Sequence, residues 1–256
     1  MADILIDGVS KVFTTARKRT LALNETSLTI ASDEIVCVVG PSGCGKTTLL
    51  NLIAGFIEPT AGTISVASRR VEGPGADRAV VFQADAVFPW QSVGQNVGYG
   101  MRMRGVGRAE RAARVEHYLN LVGLSDFRSA YPKELSGGMR KRVDLARAYA
   151  SGPEVLLLDE PFGALDLFTK EAMWLALQGV VRTEPKTIVF VTHDIEEALF
   201  LGDRVVVMTP RPARVHSVVD VPFGADRSLD LRADTDFQAL RNEIAHTLRE
   251  VQDDAA

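Results

Sequence analysis

The residues Gly40, Pro41, Ser42, Gly43, Cys44, Gly45, Lys46 and Thr47 fit the spacing G-x-x-x-x-G-K-[ST], a loop that cradles phosphate groups. Its glycines let the backbone turn so that successive N–H groups aim inward at phosphate oxygens. An apolar run at 35–39 precedes the loop, and a helical pattern opening with Thr47 and Thr48 follows it. That is the strand–loop–helix context such a site requires. The helix N-terminus adds its dipole to the anion site. Lys46 supplies a point charge to the β- and γ-phosphates of a nucleotide, and the Thr47 hydroxyl offers an oxygen to Mg²⁺. Cys44 has only to be small.

Asp159 and Glu160 end the wholly apolar run Val155-Leu156-Leu157-Leu158. Carboxylates at the end of a buried strand are costly to desolvate unless a metal or a reaction uses them. Asp159 suits Mg²⁺, and Glu160 is placed to orient or deprotonate a water attacking a γ-phosphate. Ser136, Gly137 and Gly138 open another helical pattern and offer a second anion site at a helix N-terminus. Taken alone, an SGG turn serves equally as a plain helix cap. His193, in Thr192-His193-Asp194 after a further apolar run, fits either a boundary residue or a switch that touches phosphate. His117, His216 and His246 show no metal-ligand spacing.

In this order the motifs resemble those of the ATP-binding subunit of an ABC transporter, from about Ile4 to the C-terminus. Leu135-Ser136-Gly137-Gly138-Met139 is similar to the family signature LSGGQ, with Met139 replacing the commoner glutamine. The resemblance implies a homodimer holding two ATP molecules head to tail. Each ATP would lie between Gly40–Thr48 of one chain and Ser136, Gly137, Gly138 and Met139 of the other. It also implies that Gln83 is the Q-loop glutamine, which senses Mg²⁺ and the membrane subunit. Asp166, in Ala164-Leu165-Asp166, would be the D-loop residue that crosses to the partner, and His193 the switch histidine at the γ-phosphate. Phe13 stands where the family stacks an aromatic ring on adenine, here without a phenol. The implied catalytic residues are Glu160, His193 and Lys46. The implied Mg²⁺ ligands are Thr47, Gln83 and Asp159, and the cofactors are ATP and Mg²⁺. The cluster Arg140-Lys141-Arg142 is expected to face Asp159 or solvent.

The elements that must position these residues are also legible. Short runs rich in Val, Ile and Leu at 35–39, 79–82, 155–158, 188–191 and 204–208 read as buried strands. Helical patterns lie between them, so the fold class is α/β: a P-loop NTPase core of mixed sheet and flanking helices. Segments 4–9, 20–30 and 62–67 alternate more and predict an antiparallel β flank. No strand pattern appears from about Val93 to Tyr149, which predicts an inserted helical lobe with helices at 108–121 and 138–150. The expected organisation is one domain over 1–256, with core and β flank at 1–92 and 152–220. The helical signature subdomain takes 93–151 and a tail 221–256. Thr235-Asp236-Phe237-Gln238 has capping-box form, and Phe237, Leu240, Ile244, Leu248 and Val251 recur at helical spacing.

Bulk properties narrow the function classes. The 256-residue chain carries a net charge of −4 and is 46% hydrophobic, which argues against general nucleic-acid binding. Basic residues do cluster at Arg17-Lys18-Arg19 and at Arg102, Arg104, Arg108, Arg111 and Arg114, read as a solvated face or as contact with a partner or membrane surface. Cys37 and Cys44 are the only cysteines and fit a reducing compartment. With no signal-peptide pattern and no long apolar span, the chain is expected to be cytoplasmic, held at the inner face of the membrane by a permease. Val87-Phe88-Pro89-Trp90 and Pro161-Phe162-Gly163 resemble the nitrate/sulfonate/taurine importer group, as does Arg211-Pro212-Ala213-Arg214. That implies uptake of a small anionic solute, with permease subunits and a solute-binding protein as partners. A soluble non-transport ABC ATPase in DNA repair or translation is the alternative. A P-loop kinase or GTPase would leave the LSGG run unexplained.

Overall fold

The computed structural model describes residues 3–15 and 18–253; Arg17 of the first basic run lies outside them. In chain order, β1 (Ile4–Thr14), β2 (Arg19–Ile30) and β3 (Ile35–Val39) lead into helix α1 (Lys46–Ala54). Strands β4 (Ala61–Val66), β5 (Arg69–Arg70) and β6 (Arg78–Val81) precede helices α2 (Val93–Val97), α3 (Tyr99–Met103), α4 (Arg108–Leu121) and α5 (Gly137–Ala150). Strand β7 (Val155–Asp159), helix α6 (Leu167–Thr183), β8 (Thr187–Val191) and α7 (Ile195–Leu201) come next. The chain finishes with β9 (Arg204–Met208), β10 (Val215–Asp220) and α8 (Thr235–Asp253).

These elements form two compact units. One runs up to Gly75 and resumes at Lys186; the other is Ala76–Pro185. In the first, β1 pairs antiparallel with β2 and β4, and β4 turns tightly into β5. Ala67 and Ser68 make that turn at φ 48° and 60°, the left-handed pair that a two-residue hairpin connection demands. β3 lies between parallel neighbours β8 and β9, and β10 runs antiparallel along β9. Every side chain of β3 and β8 is buried, which is why both read as unbroken apolar runs rather than alternating ones. The β flank extends further than its alternation indicates, because β1 continues past Val9 through irregular pairing to Thr14.

In the second unit β6 runs parallel to β7, from Arg78 opposite Val155 to Val81 opposite Leu158. The segment between them is helical, as expected, and α5 packs against α2, α3, α4 and α6. The contact with α6 is close: a Cβ on Gly138 would stand 2.4 Å from the Thr169 methyl. Any larger residue there would therefore push the two helices apart.

The tail needs one correction. Thr235 does not cap α8; it is the first helical residue, and the Asp234 carboxylate accepts from the amides of Asp236 (2.8 Å) and Phe237 (3.3 Å). An aspartate is at least as good a cap as a threonine, and here it sits one position earlier. Phe237, Ile244 and Val251 are the buried residues of α8. Arg227 fastens this tail to the core. It is buried, and its guanidinium donates to the carbonyls of Leu199 and Gly202 at the end of α7 and of Phe223 and Gly224 in its own segment, each at 2.9 Å. Those α7 carbonyls have no intrahelical partner, so a buried cation satisfies them and complements the dipole. Arg227→Leu should leave the carbonyls orphaned and lower stability by about 3 kcal/mol, measured by urea unfolding.

Candidate functional site

The phosphate loop starts where the wholly buried β3 ends. Gly43 and Gly45 take φ of 72° and 131°, values an L side chain rarely adopts. A Cβ on Gly45 would lie 3.1 Å from the Ala213 methyl and 3.2 Å from the Ala22 carbonyl, so conformation and space both select glycine. Gly45 caps α1 with no side-chain hydrogen bond. The amides of Lys46, Thr47 and Thr48 therefore have no partner within the helix and form the positive end of its dipole. The Lys46 side chain is buried, and its Nζ donates to the carbonyls of Gly40 (2.8 Å) and Pro41 (3.1 Å). The ammonium is thus folded back over the loop it serves. Cys44 is buried, and burial pushes its thiol pKa up, as expected of a packing residue. Ser42, Gly43 and Thr47 are exposed.

The same unit holds Phe13 and His193. Phe13 is 40% exposed on β1, with Lys11 Nζ over its ring at 5.3 Å from the centre. His193 is exposed just beyond β8. Its neighbours are fixed: Asp194 caps α7 by accepting from Glu196 and Glu197 amides, and the buried Thr192 hydroxyl bonds the Glu197 carboxylate. A locked backbone on both sides sets where the imidazole can point.

The second unit carries the remaining motif residues. Asp159 ends β7, and both it and Glu160 are half-buried. Glu160 has φ of 44°. A non-glycine residue held in the left-handed region is strained, and such strain gathers at functional positions. Ser136 caps α5, its hydroxyl accepting from the Met139 amide at 3.3 Å, while Gly137 and Gly138 open the helix. The first amides of α5 are directed at whatever lies before it. Asp166 caps α6 through the Thr169 amide (3.1 Å) and hydroxyl (2.7 Å). Those bonds, the hydroxyl first, hold its carboxyl below the usual carboxylate range. Gln83 is exposed two residues beyond the end of β6, one residue later than the strand at 79–82 implied.

The sequence reading missed how Gln83 is held. Lys141 faces neither Asp159 nor solvent. It is buried, and its Nζ donates to the carbonyls of Phe82 (2.7 Å) and Gln83 (2.8 Å). Arg140 donates to Asp85 at 2.8 Å, and Arg147 to the Ala86 carbonyl at 2.5 Å and to Asp144 at 2.6 Å. Burial draws the Lys141 pKa down and pushes that of the Asp144 carboxyl up, each opposed by the other's charge. The signature helix therefore grips residues 82–86 along their backbone. The available signal was a lysine and an aspartate three residues apart on the apolar stripe that includes Leu145 and Ala148. Two further residues escaped notice. Arg211 donates to the Gly43 carbonyl of the phosphate loop at 2.7 Å. Glu196, three residues past His193, is bridged by Arg232 (2.7 Å) and Arg241 (3.1 Å) from the tail.

Comparison with known proteins agrees with this assembly of motifs. The sequence pattern of the family described as ABC transporter matches residues 23–163. The chain is 48% identical over 256 residues to the taurine import ATP-binding protein TauB of Rhizobium johnstonii, covering 97% of each chain. It is 44% identical over 250 residues to the nitrate import ATP-binding protein NrtD of a Synechocystis species, covering 95% of this chain and 94% of that one. Among solved structures it is similar to the ATP-binding cassette MJ0796, captured as a dimer in a post-hydrolysis state bound to ADP and Pi. The TM-score is 0.73 at 29% identity, covering 86% of this chain and 100% of that one. The chain belongs to the ABC transporter family and has the ABC ATPase fold. No helix among the described residues is long and apolar enough to cross a membrane.

The Lys141 grip is open to test. Lys141→Met keeps the stem but removes the ammonium, leaving the Phe82 and Gln83 carbonyls without their donor. Stability should fall by about 2 to 3 kcal/mol. Hydrogen exchange of residues 82–86 should rise well above that of β6, which a merely global loss of stability would not produce.

Proposed function

We propose that this chain is the ATP-hydrolysing subunit of an importer for a small anionic solute, acting as a homodimer at the cytoplasmic face of a permease. Its relatives support the solute class, since TauB and NrtD are named for import of taurine and nitrate. With import subunits as relatives, the non-transport alternative is not favoured. A solute-binding protein would deliver the cargo, and nucleic acid has no part in the reading. The observation that carries it is the pair of helix N-termini, at α1 behind its cap Gly45 and at α5 opening with Gly137 and Gly138, neither with an acidic residue in its first turn. Both present the positive end of a helix dipole, which suits phosphate, and one chain supplies one of each.

In this reading Phe13 stacks on adenine, and Gly40, Pro41, Ser42, Gly43, Cys44, Gly45, Lys46, Thr47 and Thr48 hold the phosphates. Ser136, Gly137, Gly138 and Met139 of the second chain close over them, with Asp166 reaching across the dimer. The donor set of Thr47, Gln83 and Asp159 consists of a hydroxyl, an amide carbonyl and a carboxylate, the hard oxygens that Mg²⁺ accepts. The ion, when bound, neutralises charge on the phosphate oxygens. Lys46 leaves the carbonyls of Gly40 and Pro41 to meet the β- and γ-phosphates. Glu160 orients a water and takes its proton as the oxygen attacks phosphorus, and His193 contacts the γ-phosphate oxygens. ADP and phosphate leave, and the dimer opens. Gln83 and the residues that follow it face the permease, so the grip of α5 on 82–86 links the signature to the membrane partner.

Two substitutions test this. Glu160→Gln should bind ATP normally and hydrolyse it roughly 10²- to 10⁴-fold more slowly. It should also accumulate as an ATP-bound dimer in size-exclusion chromatography; normal turnover by a monomer would remove Glu160 from the mechanism. Lys46→Ala should instead weaken nucleotide binding itself by about tenfold or more in a fluorescent-nucleotide titration, because a charge-assisted contact is lost.

A further inference from the structure

A second cationic site lies in the helical part of the Ala76–Pro185 unit and shares no residue with the nucleotide motifs. A cavity of about 350 Å³ is lined by Arg102, Arg108, Arg111 and Arg128 together with the hydroxyl-bearing Ser92 and Ser129. Four guanidinium groups around one cavity, in a chain whose net charge is −4, are an arrangement that needs a cause.

Internal pairing does not supply one. Arg128 is bridged to Glu116 at 2.8 Å. Among the described residues Arg102, Arg108 and Arg111 have no carboxylate partner: Arg111 donates to the Val106 carbonyl, and Arg102 lies over the Tyr99 ring. Nor do the arginines stabilise the element that carries them. Arg108 is the first residue of α4 and Arg111 is in its first turn, where the helix dipole disfavours cations by about 0.3 to 1 kcal/mol each. Like charges lining one cavity repel one another as well. The floor of the cavity is shaped rather than incidental. Gly94 and Gly98 of the α2 segment face α4, and a Cβ at either would meet Arg128 or Val115 within 3.2 Å.

We propose that this cavity binds a phosphate-bearing anion, with Arg102, Arg108 and Arg111 as the recognising groups. The planar fork of a guanidinium matches two phosphate oxygens at once. A dianion with several acceptor oxygens can engage three such forks, whereas a monoanion of nitrate type lacks the charge to compensate them. The Ser92 and Ser129 hydroxyls can donate as well. The group could arrive on a lipid headgroup or as free phosphate; the recognition chemistry is the same.

The experiment uses the full chain in the Lys46→Ala background, which weakens phosphate capture by the nucleotide loop. Inorganic phosphate is titrated calorimetrically at low ionic strength, where screening is least. Saturable binding is expected. Adding Arg102→Gln and Arg108→Gln, both at exposed positions and so without effect on the circular dichroism spectrum, should weaken it about a hundredfold, or about tenfold for each lost charge-assisted contact. A parallel flotation assay compares vesicles of phosphatidylcholine with vesicles containing phosphatidic acid. Arginine-dependent binding to phosphatidic acid assigns the group to a lipid headgroup, and phosphate binding without vesicle binding assigns it to a soluble phosphate. Unchanged phosphate affinity in the double arginine variant overturns the proposal, as does the absence of binding to both phosphate and vesicles. Neither result bears on ATP hydrolysis, which the Glu160→Gln experiment reads separately.

Discussion

The first turn of a helix is the positive end of its dipole, and much of this structure can be understood as the means of presenting that end without an acidic side chain at two places. At α1 the chain leaves β3, turns through glycines at φ values closed to other residues, and enters the helix with no side chain capping it. At α5 a serine takes the cap, two glycines follow, and no acid enters the first turn. Three other helices are capped by aspartate: Asp194 at α7, Asp166 at α6 and Asp234 at α8. An aspartate at α1 or α5 would satisfy the same amides and repel the phosphate they are kept for.

The buried strands follow from that requirement. A loop whose turn is dictated by glycine has little stiffness of its own, because glycine has the most conformational freedom to lose. Its precision comes from β3, buried along its whole length between β8 and β9. Ala213 supports the loop from beneath as well: its amide donates to the Ala22 carbonyl and its carbonyl accepts from Asn24. The strain at Glu160 is held in the same way, at the end of a β7 whose apolar residues are all buried. Rigid apolar strands bear the cost of a strained residue and aim it at the end where they stop.

This also explains what could be read from the sequence and what could not. Strands 35–39 and 204–208 and helix 108–121 were legible to the residue, because burial on both faces and strong helical periodicity leave plain patterns. The phosphate-loop, carboxylate and signature motifs stand out in the sequence because such chemistry restricts residue type. Lys141, Arg211 and Arg227 were not, since each acts on backbone carbonyls, and a carbonyl carries no trace of itself in the sequence. A buried lysine next to a basic neighbour reads as a solvated cluster until the fold brings residues 82–86 to it. The Thr235 cap was misplaced by one position for a related reason: Asp234 and Thr235 are both good caps, and only backbone geometry chooses between them.

The carbonyl-binding arginines and lysine share a logic with the tail. Arg227 ties the end of α7, while Arg232 and Arg241 converge on Glu196 near its start. Each surface pair by itself contributes little, about 0 to 1 kcal/mol. Two arginines on one half-buried carboxylate, reinforced by a buried arginine one helix length away, constrain α7 at both ends. That helix begins immediately after His193 and Asp194. The tail thus fixes the helix that follows His193, in the way that α5 fixes the segment after Gln83. In both cases a residue of a nucleotide-site motif stands beside backbone that cations elsewhere in the chain bind, so that its position is set by charge as well as by packing.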